Sequence, residues 1–477
     1  MNNDSLKLEV LNNYKLTNDG KFKKELEQLI DNNPNKIIVL DDDPTGTQTV
    51  HDIYVYTNWN KESLKEAFLS KEKVFYILTN SRSLTSNDTK KLHEEIMENI
   101  ISVSKEVNIP FTMISRSDST LRGHYPLETD IIYHELYKND IKLDGEILCF
   151  FFKEGGRYTI DKIHYVKEGN LLKPASTTEF AKDSVFGYSS SDLTYYIEEK
   201  TKGKIKHEDV KHISIEMLVN KKIDEIESIL LECKDFEKIV VDATEYSHLE
   251  VFALAFYRAL EKGKKFLFRS AASIVRVLGG IKERELLHKD DMVKISSSNG
   301  GLIVVGSYTN KTTAQLNELL KLDSVESVEL KVKNLLKDEN SYREEVENCL
   351  SKIEKIIKSG LNAACYTSRE LINYEDDTEE SFLNRSQLIS NAVKTMVSDL
   401  NINPAFVISK GGITSSDVAT KALKINKGLV LGQIQPGIPV WQTEKNSRFS
   451  NIPFVIFPGN TGDENTLRIS VEILDDK

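Results

Sequence analysis

Short apolar runs alternate with longer charged, amphipathic segments along most of the chain. The first run, residues 37–40, is continuously apolar, which is typical of a strand buried on both faces of a parallel sheet. Helical spacing of apolar residues follows in the gaps, as in 88–104, where Ser86 or Asn87 is the predicted N-cap. This rhythm of strand and crossover helix predicts an α/β protein with mostly parallel sheets.

The same alternation predicts strands in two groups. The first group is 37–40, 53–56, 74–78, 111–114, 147–152, 239–241 and 266–268, and the second is 302–305, 328–332, 363–366, 405–408 and 454–457. Between residues 152 and 200 the rhythm breaks, and the glycines and proline there predict a β-hairpin or long loop inserted over the edge of the first sheet.

The length of 477 residues exceeds what one hydrophobic core normally serves, so two domains are expected. Residues 281–300 are charged, then rich in serine, and lose their apolar periodicity after Leu287. We therefore predict a first domain over 30–280, a linker over 281–300 and a second domain over 301–472.

Composition narrows the function classes. A net charge of -11, with 63 basic and 74 acidic residues, lacks the clustered positive field of a nucleic-acid-binding protein. The amino-terminal residues lack the apolar core of a signal peptide, and no run approaches the roughly 18 apolar residues of a membrane span, so a cytoplasmic protein is expected. Four scattered cysteines without CxxC spacing predict buried, reduced thiols.

The most informative polar segment follows the first apolar run. Residues 36–49 read KIIVLDDDPTGTQT, which puts Asp41, Asp42 and Asp43 at the carboxyl end of a buried strand, where ligands of parallel sheets gather. These carboxylates must be solvated, paired with cations, or used to hold hydroxyls or Mg²⁺. An aspartate-rich surface turn is the simpler alternative, because Pro44 and Gly46 also favour turns.

A second polar segment, SRSDSTLRGHYPL, follows the strand at 111–114. Arg116 and Arg122 offer forked donors for a carboxylate or phosphate, and Asp118 can accept from sugar hydroxyls or ligate a metal. This set suits a small anionic polyol, although a salt-bridged loop that caps a helix would contain the same residues. Arg157, after two glycines, is either an anion ligand or a solvated turn residue.

Three turns of small residues follow strands of the second domain, at 306–309, 410–415 and 458–462. Their glycines allow backbone N–H groups to approach an anion, and a helix beginning at Ser415 or Ser416 would add its positive end. Together they could cradle a polyphosphate, although each alone fits an ordinary connection. Neither GxxxxGK[ST] nor GxGxxG is present, so a nucleotide must be held differently.

Several segments taken together resemble the four-carbon acid sugar kinase family. They are, in order, DDDPTGTQT, SRSDSTLRGHYPLE, TTEFAKD, KGGITSSDVA, IQPGIPVW and FPGNTGDE, and the resemblance covers roughly residues 36–470. It implies an amino-terminal domain that binds a four-carbon sugar acid, a carboxyl-terminal domain that binds ATP, and phosphoryl transfer in the cleft between the two α/β domains.

The resemblance also implies particular site residues. Those implied for the substrate are Asp42, Asp43, Thr45, Gly46, Asp118, Ser119, Arg122, Gly123 and Arg157, and those implied for ATP are Ser307, Gly411, Gly412, Ile413, Thr414 and Gly459. Mg²⁺ and basic groups should screen the triphosphate, with metal ligands that the sequence does not identify. One carboxylate should take the hydroxyl proton, with Asp43 as the first choice and Asp118 as the second.

Two other functions fit parts of the sequence. Asp41-x-Asp43-x-Thr45, followed by Thr79-Asn80, mimics a haloacid-dehalogenase-like phosphatase with Asp41 as the nucleophile, but a late acidic metal motif is missing. A non-catalytic sugar-acid sensor is the third possibility. The favoured prediction is an ATP-dependent kinase for a threonate, erythronate or 3-oxo-tetronate class of acid; the choice of acid and hydroxyl, and the existence of a homodimer, stay open.

Overall fold

The structure is a computed structural model and describes residues 4–16, 20–294, 297–307, 309–369, 379–459 and 461–475. The chain divides into two compact units: Met1–Val50 with Asn58–Glu283, and His51–Thr57 with Arg284–Lys477. Both units alternate strands with helices around mostly parallel sheets, which confirms the predicted α/β class.

Strands are numbered along the chain. They are β1 (Leu6–Lys7), β2 (Lys36–Asp41), β3 (Ile53–Tyr56), β4 (Val74–Leu78), β5 (Phe111–Arg116), β6 (Gly145–Cys149), β7 (Arg157–Ile160), β8 (Ile163–Glu168), β9 (Leu171–Pro174), β10 (Lys211–Ile213), β11 (Glu237–Val241), β12 (Phe266–Ser270), β13 (Leu302–Val305), β14 (Val325–Leu330), β15 (Asn362–Thr367), β16 (Val407–Lys410), β17 (Lys427–Gln435), β18 (Ile438–Gln442) and β19 (Pro453–Phe457).

The α-helices are numbered in the same way. They are α1 (Gly20–Asn32), α2 (Lys61–Leu69), α3 (Ser86–Val107), α4 (Leu127–Lys138), α5 (Leu193–Lys200), α6 (Ile215–Val219), α7 (Ile223–Glu232), α8 (Tyr246–Glu261), α9 (Ser273–Leu278), α10 (Lys289–Met292), α11 (Asn310–Leu319), α12 (Val332–Leu335), α13 (Glu339–Lys358), α14 (Glu379–Ser398), α15 (Gly412–Asp417) and α16 (Thr466–Asp475).

The main sheet of the first unit has the strand order β10-β11-β6-β12-β5-β2-β4, and every pairing in it is parallel. All six residues of β2 are buried, because the strand has a neighbour on each side and is covered on both faces. This explains the continuous apolar run in the sequence. Asp41, the last residue of β2, pairs in register with Arg116 of β5.

A smaller antiparallel sheet, in the order β1-β9-β8-β7, belongs to the same unit. Its β7–β8 pair confirms the hairpin predicted after residue 152. The hairpin turns at Asp161 and Lys162, both left-handed, and their backbone N–H groups donate to the Asp242 carboxylate at 2.9 and 3.0 Å. A buried carboxylate therefore stabilises a backbone conformation that glycine would adopt more readily.

The sheet of the second unit has the order β3-β17-β18-β19-β16-β13-β15-β14. The strands β14, β15, β13, β16 and β19 are parallel, whereas β18, β17 and β3 continue the sheet in antiparallel pairs. The assignment of residues 53–56 to the first domain was therefore wrong. Apolar patterning identified the strand correctly, but it carries no information about which distant strand, here β17, becomes the partner.

The predicted linker, 281–300, is in part a packed element. Leu287 and Met292 are buried within the hydrophobic core of the second unit, and the backbone N–H of Leu287 donates to the carbonyl of Gln433 at 2.8 Å. Among the described residues of this segment, Leu287 and Met292 are the two with buried side chains, and two isolated apolar residues do not produce a periodic pattern. The charged residues around them made the segment look like a solvent-exposed linker in the sequence.

Smaller features complete the comparison with the sequence. The N-cap of α3 is Thr85, whose hydroxyl accepts from the Asp88 backbone N–H at 3.2 Å, so the prediction of Ser86 or Asn87 was one or two residues late. All four cysteines are buried and free, as expected. Within the described part of the chain, no helix has the length and apolar character that a membrane crossing needs.

Candidate functional site

The crevice between the ends of β2 and β5 is the first candidate site. After β2 the chain next joins this sheet at β4, on one side, whereas after β5 it next joins at β6, on the other. Adjacent parallel strands with diverging connections leave a crevice at their carboxyl ends, where ligands of open α/β sheets bind. The predicted substrate segments, 42–46 and 118–123, follow these two strands and so lie at this edge.

Asp41 is enclosed in the protein. Its side chain is 1% exposed, and Oδ1 accepts from Arg116 Nη1 at 2.9 Å. A Cβ atom on Gly46 would lie 2.0 Å from Asp41 Oδ2, so the 44–47 turn packs directly on the carboxylate. Burial raises the pKa of Asp41 to about 7, and the Arg116 guanidinium opposes this effect only in part. Asp41 thus supports the turn and does not present itself to a ligand.

Asp42 is also buried and links both segments. Its Oδ2 accepts from Ser117 Oγ at 2.5 Å, and its Oδ1 lies 3.6 Å from Arg82 Nη2 and 3.7 Å from Arg116 Nη1. Burial raises the pKa of Asp42, although both guanidinium groups lower it. Asp42 therefore holds the ends of β2 and β5 in one geometry.

Asp43 and Asp118, the two predicted catalytic carboxylates, lie on either side of Arg82. Arg82 Nη2 is 2.6 Å from Asp43 Oδ2, and Arg82 Nη1 is 3.6 Å from Asp118 Oδ1. Their side chains are 18% and 12% exposed, more than those of Asp41 and Asp42. Asp43 also accepts from the Thr45 backbone N–H at 2.8 Å, which caps the short 3-10 helix Pro44–Thr47.

The arginines decide the protonation of these two carboxylates. Burial raises the pKa of Asp43, but the Arg82 guanidinium and the hydrogen bonds from Thr45 leave it below its usual value. Burial likewise raises the pKa of Asp118, and Arg122 and Arg82 together bring it well below the usual range. Both groups are therefore ionised at neutral pH and suited to accept hydrogen bonds from hydroxyl groups.

Arg82 is a residue that the sequence analysis missed. It lies on the 3-10 turn Ser81–Ser83, which follows β4 directly after the left-handed residue Asn80. Because β4 is the neighbour of β2, its carboxyl end is at the same edge of the sheet. The rule that identified the aspartates after β2 would have identified Arg82 if it had also been applied to β4.

Arg122 and Arg157 bring two guanidinium groups to one aromatic ring. Their Cζ atoms lie 5.1 and 5.6 Å from the centroid of the Phe180 ring. Arg122 is paired with Asp118 at 2.6 Å and with Asp183 at 3.6 Å. The inserted segment after β9, which carries Phe180 and Asp183, therefore contacts the predicted substrate loop.

Arg157 differs from Arg122 because it lacks a carboxylate partner. Its Nη1 donates to the carbonyl of Gly155, whereas its Nε is buried without a hydrogen-bond acceptor. Among the residues that the structure describes, no carboxylate oxygen lies within 4.0 Å of this guanidinium. Burial lowers the pKa of Arg157, and the Asp118 carboxylate opposes this effect only in part.

Ser119 and Gly123 shape the loop formed by residues 118–123. The Ser119 carbonyl accepts from His164 Nε2 at 2.8 Å, and burial lowers the pKa of His164 to about 4, so the imidazole is neutral. Gly123 has φ +122°, and a Cβ there would lie 2.5 Å from Ser117 Oγ and 2.8 Å from Arg269 Nη2. The loop therefore requires glycine at this position.

A buried ion pair lies beneath this loop. Arg269, at the end of β12, pairs with Glu128 of α4 and donates from Nη1 to Ser115 Oγ at 2.8 Å. Ser81 Oγ donates to Glu128 Oε1 at 2.5 Å. These contacts join the ends of three parallel strands and were not predicted from the sequence.

The second candidate site lies at the carboxyl ends of β13, β16 and β19, which are neighbours in the second sheet. After β13 the chain runs through α11 to β14 on one side, and after β16 it next joins a parallel strand at β19 on the other. The three predicted turns follow these strands and so meet at one edge, at a second topological switch. Tyr308 and Asn460 of these turns are outside the described residues.

Close backbone approaches join the first two turns. A Cβ atom on Gly306 would lie 2.3 Å from Thr414 Oγ1, so no larger residue fits without movement of Thr414. Gly411 has φ +116° and precedes α15, which begins at Gly412. The predicted helix start at Ser415 or Ser416 was therefore wrong by three or four residues, because the glycines before Ser415 favour a turn in the sequence although they begin the helix. The predicted site residue Ile413 lies in the first turn of this helix.

Two basic side chains of the second unit, Lys410 and Arg369, donate hydrogen bonds to backbone carbonyl groups of the predicted turns. Lys410 is fully buried and donates from Nζ to the carbonyls of Pro458 at 2.9 Å and Gly459 at 3.3 Å. Arg369 Nη1 donates to the Ser307 carbonyl at 2.7 Å. Neither has a carboxylate partner among the described residues, and burial lowers the pKa of both, that of Lys410 to about 7. Two cations therefore lie at this edge of the sheet without a paired carboxylate among the described residues.

Two further observations concern ligands. Over the described ranges, no group of three or more His, Cys, Asp or Glu side chains is arranged to hold a metal ion. A cavity of about 420 Å³ lies at the opposite, amino-terminal ends of β5 and β12, lined by side chains such as Phe111, Met113 and Phe266. It contains none of the predicted site residues, which lie where strands end and not where they begin.

Comparison with known proteins defines the class. A family model described as a sugar-binding N-terminal domain matches residues 37–278, and one described as a nucleotide-binding C-terminal domain matches residues 302–467. The chain is thus a two-domain protein with a sugar-binding and a nucleotide-binding part, a kinase-like arrangement. It belongs to the four-carbon acid sugar kinase family, as its sequence motifs predicted. No curated protein matches the chain.

Solved structures share the fold at low sequence identity. A Haemophilus influenzae protein of unknown function is 18% identical, with a TM-score of 0.59 over 92% of this chain and 100% of that one. A protein from Salmonella typhimurium described as a putative tRNA synthase is 14% identical, with a TM-score of 0.61 over 93% of this chain and 98% of that one. At this identity the likeness establishes the fold alone.

Proposed function

We propose that the protein is an ATP-dependent kinase that phosphorylates a hydroxyl group of a four-carbon sugar acid of the threonate, erythronate or 3-oxo-tetronate class. The observation that carries this proposal is the half-buried side chain of Arg157, whose Nε is enclosed without an acceptor and whose guanidinium has no carboxylate partner among the described residues. A partly desolvated cation without a paired carboxylate is costly, and a ligand carboxylate would reduce that cost. A neutral sugar would not.

The carboxylates supply the polar half of the substrate site. Asp43 and Asp118 are ionised through Arg82 and Arg122, and both can accept hydrogen bonds from hydroxyl groups. Either can take the proton of the attacking hydroxyl, with Asp43 first and Asp118 second. Their lowered pKa values make them weak bases, which is sufficient because phosphoryl transfer depends on positioning and charge stabilisation more than on early proton removal.

The three turns of the second unit would hold the triphosphate. The Gly411 backbone N–H already donates to the Phe457 carbonyl at 2.9 Å, so the N–H groups of Gly412 and Gly459 are the ones that can approach phosphate oxygens, while Lys410 and Arg369 lower the negative potential nearby. Mg²⁺ usually coordinates substrate phosphates together with only one or two carboxylates, so it can enter with the nucleotide although no carboxylate cluster is arranged for it in the described residues. Bound Mg²⁺ would neutralise charge that develops on the transferred phosphoryl group.

The phosphatase alternative is disfavoured by the position of Asp41. A nucleophile must reach phosphorus in line, but the Asp41 carboxylate is 1% exposed, bonded to Arg116 and covered by Gly46. An enclosed carboxylate with a raised pKa is poorly suited to attack. Its role in this fold is to support the turn that carries Asp43.

The test is ADP release measured with ATP and Mg²⁺ across threonate, erythronate, their 3-oxo forms and the uncharged polyols threitol and erythritol. We expect turnover with at least one acid and none with the polyols. Equal rates with acids and polyols would remove the argument from Arg157. Absence of ADP release, together with phosphatase activity that beryllium fluoride blocks, would favour the alternative.

A further inference from the structure

Lys410 connects two of the three turns of the nucleotide-binding domain. It is the last residue of β16 and lies immediately before Gly411, while its side chain reaches the turn after the neighbouring strand β19. Its ammonium group donates to the carbonyls of both Pro458 and Gly459. One side chain therefore fixes the distance between the 411–414 turn and the 458–459 turn.

The surroundings of Lys410 are unusual for a lysine. The side chain is 0% exposed, and Nζ lies 4.2 Å from the centroid of the Phe457 ring. Among the described residues it has no carboxylate partner, and the charged group whose field acts on it is another cation, Lys311 of α11. Lysine is rarely buried in this way unless it is paired. Two carbonyl groups and one aromatic face offset only part of the desolvation cost.

We propose that Lys410 is a positioning residue of the nucleotide site, which holds the Gly411 and Gly459 turns at the spacing that a polyphosphate requires. This inference rests on the proposed nucleotide site. Lys410 acts through the two carbonyl groups, and since its side chain is fully buried, it need not touch the ligand. Charge-assisted hydrogen bonds of this kind are about twice as strong as neutral ones, so the clamp is tightest when the amine is protonated.

A proton should accompany nucleotide binding. Burial, with a contribution from Lys311, lowers the pKa of Lys410 to about 7 in the free protein, so the amine is mostly neutral above that pH. A polyphosphate bound on the adjacent turns brings negative charge, which raises the pKa of Lys410 and favours its protonated form. At about pH 8, binding should therefore take up a proton from solvent, and affinity should fall as pH rises past 7.

The experiment is calorimetric titration of the full chain with AMP-PNP and excess Mg²⁺ at about pH 8 in buffers of different ionisation enthalpy. Bound Mg²⁺ keeps the terminal phosphate deprotonated at this pH, so any uptake belongs to the protein. Wild type should take up a fraction of a proton for each nucleotide bound. Lys410→Met should show no uptake and bind about 10-fold or more weakly. Lys421→Met, which removes an exposed lysine paired with Asp417 in the same unit, should behave as wild type.

Each outcome decides the proposal. Wild-type affinity and undiminished uptake in Lys410→Met, or equal losses in Lys421→Met, would overturn the role of Lys410 and leave the kinase proposal intact. Circular dichroism tests whether Lys410→Met is folded. If this variant is unfolded, the titration of wild type decides the proposal: proton uptake on nucleotide binding supports the role of Lys410, and absence of uptake contradicts it. Failure of wild type to bind AMP-PNP would overturn both the role of Lys410 and the kinase proposal. The ADP-release assay tests the kinase proposal independently of Lys410.

Discussion

Gly46 packs so closely on Asp41 that a Cβ atom at position 46 would lie 2.0 Å from Oδ2 and 2.4 Å from Cγ of that carboxylate. The neighbouring atoms are those of a short side chain held at 2.9 Å by Arg116, so they cannot move aside without breaking a buried ion pair. The turn that carries Asp43 therefore depends on the absence of a side chain at one position.

We expect Gly46→Ala to lower the free energy of unfolding by about 1–3 kcal/mol through overpacking, and to reduce the proposed kinase activity because Asp43 moves with the turn. Urea unfolding and ADP release measure the two effects. Gly459→Ala is the stability control, since a Cβ there meets no atom within 4 Å. Unchanged stability in Gly46→Ala would contradict the close packing.

Arg82→Met should raise the pKa of Asp43 and of Asp118, because it removes a positive charge from beside both. In wild type these lowered pKa values keep both groups ionised well below neutral pH. In the variant the acid limb of the kcat/KM profile should move upward by about 1 pH unit or more. Arg258→Met is a matched control, because Arg258 also contacts three carboxylates but lies on α8, outside the site. A profile that does not shift would exclude Arg82 from the site.

Asp41→Asn should change how stability depends on pH. The folded protein raises the pKa of Asp41 from about 4 to about 7, so it binds the proton more tightly than the unfolded chain does. The stability that this group contributes is therefore present below about pH 4 and is lost as pH rises to about 7. Asparagine keeps an acceptor for Arg116 and does not titrate. The wild-type minus variant difference in unfolding free energy should fall across this window, and a flat difference would refute the assignment.

Arg157→Met should separate stability from function. Removing a half-buried guanidinium without a carboxylate partner should leave stability unchanged or raise it by about 1 kcal/mol, while KM for the sugar acid rises about 10- to 100-fold. Arg276→Met is the control: Arg276 also lies over an aromatic ring, that of Tyr246, but has Glu283 as a partner at 3.5 Å. If KM for the acid were the same in Arg157→Met and wild type, Arg157 would have no role in binding the carboxylate.

Much of the local structure could be predicted from the sequence. The strand β2 was evident because burial on both faces leaves only apolar residues, and the polar segments after β2 and β5 were recognisable because parallel strands end at one edge. What could not be predicted depends on contacts between distant residues. Apolar patterning identified 53–56 as a strand but not its pairing with β17, and the proximity of Arg82 to Asp43 follows from strand order, which patterning does not encode.

The roles of the three adjacent aspartates show the same limit. In sequence they are equivalent acids after a strand, and any of them could be a nucleophile, base or ligand. In the structure Asp41 and Asp42 are buried among arginines and a serine, whereas Asp43 is partly exposed. Alternation along a strand puts Asp41 and Asp43 on the same face, so the difference between these two comes from the turn, in which Gly46 packs directly on Asp41.

The course of the chain through β3 has a practical consequence. The second sheet takes one of its strands from residues 53–56, some 230 positions before the rest of that unit begins at Arg284. A polypeptide that started at residue 284 would lack this strand and expose the hydrogen-bonding edge of β17, a template for aggregation. No single cut in the gene can release an intact nucleotide-binding half, so studying that half in isolation calls for grafting the missing strand onto it.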